Sequence, residues 1–426
     1  MSARSQLLPA LVAVAVAMGP VPAQSFHLRA AIDYPRTADA NAITALNERL
    51  AAGETTLPAN GKSGRLRALL AALGVPESSQ MLVFSKTSLQ RHRIGPRSPR
   101  AIYFGPDVYV GWVPGAAVLE IAAGDPKLGL VFYSLAQDPD SPPLLRRDDS
   151  CLSCHASGRT HDEPGLVLRS VFPDADGDPI ASAGETDVTT GTPLAERWGG
   201  WFVTGTFAGE HRGNGIAVRD EQRRWHVPPR AATDLRAFAA EFAVDDYLAP
   251  TSDVGALLAF EQQATVHNLL VRASLQMRWL LACDRELHTG DHDDAAGGGL
   301  RPTTARIADG LAREIAAALL LADEPALPTP AAAAEPFAGV FPTLWPADPT
   351  GTRLGRFDLR ERTFVLPLSP MVHSPAFAAL PEPLRERVLE RLRITLKRGR
   401  IPGGVQLSVE QRGVLHAHLQ ATLAGY

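Results

Sequence analysis

The chain has 426 residues, 45% of them hydrophobic and 21% charged, which is an ordinary globular composition long enough for two or three domains. A net charge of −4 at pH 7 gives no electrostatic case for binding nucleic acid or an anionic membrane surface. Three cysteines are too few for a disulfide framework.

Arg4 precedes an apolar run over residues 7–18 that ends in Gly19-Pro20-Val21-Pro22-Ala23, the order of a secretory signal with cleavage near Ala23. The run is shorter than the roughly 20 residues of a spanning helix, and prolines stand at both of its ends. The expectation is a soluble mature chain, periplasmic or otherwise exported, with no membrane span. Residues 41–50 and 64–73 read as short helices, the second ended by Gly74. Residues 81–84, 101–104, 108–112 and 128–133 are β-rich runs separated by Gly and Pro turns. Among them lies a basic cluster, Arg91, His92, Arg93, Arg97 and Arg100. It reads as a solvated hairpin loop or as a docking patch for an acidic redox partner.

The most specific stretch follows, Cys151-Leu152-Ser153-Cys154-His155. Cys-x-x-Cys-His is the attachment signature of c-type haem, in which two thiols add across the vinyl groups and the histidine binds iron from the proximal side. One turn of helix puts both cysteines on one face and points the next imidazole at the ring they hold. Other uses of the pair weigh less. A closed zinc site needs two more ligands, and the remaining cysteine, Cys283, lies far downstream among apolar neighbours that favour a buried, inert thiol. A thioredoxin-like pair would open a helix directly after a buried strand, whereas Asp138-Pro139-Asp140-Ser141-Pro142-Pro143 is a loop composition. A disulfide across so short a span closes almost no loop and stabilises little.

Beyond the motif, residues 165–172 and 180–183 read as two strands joined by Asp174-Ala175-Asp176-Gly177-Asp178. This is a hairpin turn and not a calcium loop, because Gly177 is fourth where an EF-hand has its glycine sixth. In Arg197-Trp198-Gly199-Gly200-Trp201, the residues Trp198 and Trp201 either pack against a porphyrin or form an aromatic core corner. From Pro250 the pattern turns helical, with Thr251, Ser252 or Asp253 available as the cap. His267 lies on the apolar stripe of Phe260, Ala264 and Val271. It is either a hydrogen-bonded core residue or the first candidate for a distal iron ligand, with His161, His211 and Met277 as alternatives. Met277, ten residues on, is turned roughly 80° from His267 on a straight helix, so the two do not serve one iron. Residues 291–299 and 325–336 have linker composition around an Ala-rich helix at 304–321. The tail is helical, with Leu384, Val388, Leu392 and Leu396 on one face.

Through the five motif residues and the export signal the chain resembles c-type cytochromes, whose covalent haem attachment is completed outside the cytoplasm. The resemblance implies one covalent haem c, anchored at Cys151 and Cys154, with His155 as proximal ligand. It also implies one-electron transfer with a redox partner protein or a small redox molecule. It does not extend to the known cytochrome folds: the motif is single and sits deep in the chain after a β-rich segment. An open sixth iron position would change the class, to a haem enzyme of peroxidase or oxidase kind or to a haem-based redox or gas sensor. In outline, the order strand, haem helix, hairpin resembles haem-bearing sensor domains of PAS type. The expected fold is α+β, with a signal peptide at 1–23, a β-rich region at 24–145 and a haem domain with the long helix at 146–290. A linker with the Ala-rich helix at 291–350 and a C-terminal helical region at 351–426 complete it.

Overall fold

The computed structural model describes residues 25–207, 209–288, 300–401 and 406–426. The signal segment at 1–23 and the linker run at 291–299 lie outside the described residues. The remainder is α+β, with strands concentrated in the N-terminal half and helices in the C-terminal half.

Two short helices, α1 (Ala42–Ala51) and α2 (Leu66–Leu73), come first. Asn41 caps α1 through its side chain, and Gly74 ends α2 in the left-handed region at φ 64°, the conformation only glycine adopts without strain. The strands follow: β1 (Met81–Val83), β2 (Arg100–Phe104), β3 (Val108–Trp112), β4 (Val118–Asp125), β5 (Gly129–Ala136) and β6 (Leu145–Arg147). After the motif come β7 (Arg169–Val171), β8 (Glu185–Asp187) and β9 (Trp201–Phe202). Seven of them form one antiparallel sheet in the order β6-β5-β4-β3-β2-β1-β9. The longest ladder, eight residue pairs between β4 and β5, includes a strand not read from sequence. Its core, Ile-Ala-Ala-Gly, has little of the β-branched or aromatic bulk by which strands announce themselves.

Alternation gives the sheet two faces. Tyr133 points to one of them and donates its phenolic O–H toward Asp39, fixing α1 there. Arg100, Ile102, Gly111, Glu120 and Phe132 point to the other, which faces the Cys-x-x-Cys-His segment.

The expected hairpin after the motif forms with a different second strand. β7 pairs with β8, while residues 181–183 make a 3-10 turn. Pro173 and Pro179 form an isolated antiparallel pair across the Asp174–Asp178 turn, where the Ile180 amide donates to the Phe172 carbonyl at 2.9 Å, and after the 3-10 turn pairing resumes past Gly184.

Helix α3 (Leu152–His155) carries the motif, and α4 (Val254–His288) is the long helix. Of the three cap candidates, Asp253 serves, its carboxylate accepting from the Gly255 and Ala256 amides. Helices α5 (Pro302–Leu319), α6 (Glu335–Val340), α7 (Pro375–Ala378), α8 (Glu382–Arg398) and α9 (Val409–Thr422) complete the chain. Leu384, Val388, Leu392 and Leu396 are buried on α8, which packs on α5, so the tail's apolar face closes the core. One hydrophobic cluster runs from Ile32 to Leu419 through every region. No described helix is long and apolar enough to cross a membrane.

Candidate functional site

The motif begins where β6 ends. A 3-10 turn, Asp149–Cys151, is capped by Asp148, whose side chain accepts from the Ser150 amide, and it runs directly into α3. The loop composition of 138–143 hid this edge strand, so the motif does follow a strand. The thiol chemistry nonetheless differs from that of a dithiol redox centre, which needs a lowered thiol pKa. Burial, with Asp148 and Glu120 adding, pushes the Cys151 thiol up to about 12. Cys151 is half-buried and Cys154 exposed. Cys283 is half-buried rather than buried, because Leu281 and Ala282 beside it are themselves partly exposed near the end of α4.

Cys151, Cys154 and His155 line one cavity of about 390 Å³, within the size range of small-molecule and cofactor sites. Its floor is the second face of the sheet, with Ile102, Ala122 and Phe132, and its walls include Leu166, Trp201 and Phe260. The His155 ring lies 4.7 Å from that of Phe132. Its Nδ1 stands 2.8 Å from the Gly165 carbonyl oxygen. A carbonyl only accepts, so Nδ1 carries the proton and Nε2 keeps a free lone pair, the form in which a histidine binds a metal. Burial holds the imidazole neutral by lowering its pKa.

The Gly165 carbonyl is itself fixed. The Gly165 amide donates back to the His155 carbonyl at 2.8 Å. Asn268 of α4 accepts from the Leu166 amide at 2.7 Å and donates to the Leu166 carbonyl at 2.8 Å. A Cβ at Gly165 would come within 2.9 Å of Asn268 Oδ1, so only glycine fits without a shift. The loop between the histidine and this glycine is anchored by Glu163, a buried carboxylate that accepts from the Phe26 and His27 amides and the His27 ring.

The other residues singled out from sequence separate. Trp201 lines the cavity, with Nε1 donating to the Arg169 carbonyl at 2.9 Å. Trp198 does not line it. At φ 66° it turns into the core, donates to Glu261 at 2.8 Å, and packs edge-on against His211, which is thereby also placed away from the cavity. Trp198 thus forms an aromatic core corner, and Trp201 stands on the cavity wall. His161, in a left-handed conformation, lines a neighbouring cavity of about 400 Å³. Met277 is fully buried in the core, off the cavity wall.

His267 is fully buried and does not line the cavity; it is bonded to Tyr109, which does. Phe260, seven residues earlier on the same face of α4, reaches the cavity. Two turns carry His267 roughly 10 Å further along the axis, where Tyr109 fills the space in front of it. Among the described residues lining the cavity, His155 is the sole imidazole and there is no methionine.

From sequence, other cavity residues have no role in the site. Arg100 leaves the exposed basic cluster, pairs with Glu120 at 2.6 Å, and lies across Gly111, where a Cβ would come within 2.3 Å of its guanidinium. The available signal was a charge at a cavity-facing position of a strand. Gly165, Phe132 and Asn268 carried no local signal.

Among the described residues no group of three His, Cys, Asp or Glu side chains stands close enough to hold a metal ion. No protein-family model, curated protein or solved structure matches the chain.

Proposed function

We propose that the chain is an exported c-type haem protein. One haem is held through Cys151 and Cys154 with His155 as proximal ligand, and its other face is open to a small molecule. The observation that carries this reading is the meeting of three features in one largely apolar cavity. Two free thiols sit on a single turn, an imidazole tautomer is locked with Nε2 free, and aromatic side chains line the walls. Haem c would supply an iron able to exchange single electrons and to bind a small exogenous ligand. The chain's residues anchor it, orient His155 through Gly165, and exclude water with Phe132, Trp201 and Phe260. The exposed Cys154 favours electron exchange with a redox partner protein or small redox molecule at the cavity mouth.

A sealed electron carrier would need a second strong ligand, and His267 is tied instead to Tyr109. Spectra of the reduced holoprotein with and without carbon monoxide test the open face. A high-spin haem that binds carbon monoxide is expected, and unchanged coordination in His267→Ala. A low-spin spectrum indifferent to carbon monoxide would show that the face is closed.

A further inference from the structure

Behind the cavity wall stands a buried polar chain that haem attachment does not use. Tyr109 lines the cavity with its ring and turns its hydroxyl inward. That oxygen is 2.8 Å from His267 Nδ1 and 3.0 Å from Gln263 Nε2. The Gln263 amide is oriented by the Gly105 carbonyl at 2.7 Å, which only an NH₂ group can satisfy. Gln263 therefore donates to the Tyr109 oxygen, and the phenolic proton points at His267 Nδ1. With Nδ1 accepting, the His267 proton sits on Nε2. Nε2 faces Asp107 Oδ1 at 3.7 Å, just beyond hydrogen-bond length, and neither atom has a hydrogen-bond partner among the described residues. Asp107 has room for its carboxyl only because Gly124 lacks a side chain, a Cβ there falling 2.1 Å from Oδ1. Native interiors seldom leave two such atoms unpaired and facing each other without use.

We infer that Tyr109 is a redox-active residue: it gives one electron to the haem held at Cys151, Cys154 and His155 while its proton passes to His267 and from His267 to Asp107. The inference rests on the haem reading above. An oxidised phenol is a strong acid, so in a buried site the electron leaves only if the proton has an internal acceptor. In the relay the O–H bond of Tyr109 breaks as an N–H bond forms at Nδ1, and the Nε2–H bond breaks as an O–H bond forms on the Asp107 carboxylate. The imidazole changes tautomer and stays neutral, which suits a ring whose pKa burial lowers to about 4. The closing acceptor is the Asp107 carboxylate, whose pKa burial, with Asp125 adding, raises to about 8, so the relay runs at a pH above that value, where Asp107 is ionised, and the peroxide test is made there. Hydrogen peroxide is the co-reactant: it takes two electrons and two solvent protons and leaves as two waters. Tyr109 supplies one electron, and the haem iron, or the redox partner in turnover, supplies the other.

The test is electron paramagnetic resonance of the ferric holoprotein, freeze-quenched after mixing with hydrogen peroxide. An organic radical near the free-electron g value is expected, its hyperfine pattern collapsing when the protein is grown on ring-deuterated tyrosine. Tyr109→Phe removes it with covalent haem still present. Tyr133→Phe, whose phenol is bonded to Asp39 and Asn41 instead, keeps it. His267→Gln slows its appearance by about 100-fold, the low end of what a positioned proton acceptor contributes. This variant also keeps the inference testable if Tyr109→Phe does not fold. A holoprotein that reduces peroxide with no tyrosine radical, a radical that survives Tyr109→Phe, or formation indifferent to His267→Gln overturns the inference. A wild-type protein without covalent haem overturns the haem reading itself, and this is seen before peroxide is added.

Discussion

Glu261→Ala is expected to lower the unfolding free energy by about 3–5 kcal/mol, the cost of leaving one member of a buried ion pair uncompensated. The measurement is the urea midpoint at unchanged m-value. Glu261 and Arg197 are both almost wholly buried and meet at 2.7 Å. The second carboxylate oxygen accepts from Trp198 Nε1 at 2.8 Å, and the remaining Arg197 N–H groups reach the Thr190 and Thr192 carbonyls. Burial raises the Glu261 carboxyl while Arg197 and Trp198 favour its charged form, so every partner is committed. Taking the carboxylate away strands a cation in the core. Replacing both members, as Arg197→Met with Glu261→Leu, should cost less than the sum of the single changes, because a well-packed apolar pair carries no desolvation penalty. The cluster also bears on the site. It ties the Trp-Gly-Gly-Trp turn to α4, with Gly199 so close to Val171 that a Cβ would lie 2.0 Å from its carbonyl oxygen, and thereby sets Trp201 on the cavity wall.

His155→Ala should weaken axial ligation of the haem iron by more than about 100-fold. Second-shell partners of metal ligands alone are worth about 10–100-fold, and here the ligand itself is removed. The coordination-sensitive absorption bands of the covalently held haem read the loss, with the Asn268-anchored loop and the cavity otherwise intact. Haem content equal to wild type with an unchanged ligand spectrum would mean that another residue holds the iron.

What could be read from the chain beforehand was whatever a short window encodes. Cys151, Cys154 and His155 are one turn of helix, and Asp253 and Gly74 are caps whose partners lie within a few residues. Strands β1, β2, β3 and β5 carry aromatic or branched residues in their own sequence. β4 has Val118, Leu119 and Ile121 but breaks off into Ala-Ala-Gly-Asp, and its eight-residue length comes from pairing with β3 and β5 on both sides. The distal side of the cavity failed for a similar reason. Helical periodicity placed His267 on the face that also carries Phe260, but not the distance along the axis or the Tyr109 ring in front of it. Gly165, Asn268 and Phe132, which set the tautomer and packing of His155, come from three separate segments. Only the closed fold brings them together.

Covalent attachment tests the central claim most directly. The purified protein, denatured and separated by size, is examined for haem absorbance on the polypeptide, beside a Cys151→Ala, Cys154→Ala double variant. The account predicts haem migrating with the wild-type chain and none with the double variant. A wild-type chain free of covalent haem, or a double variant that retains it, would contradict the account.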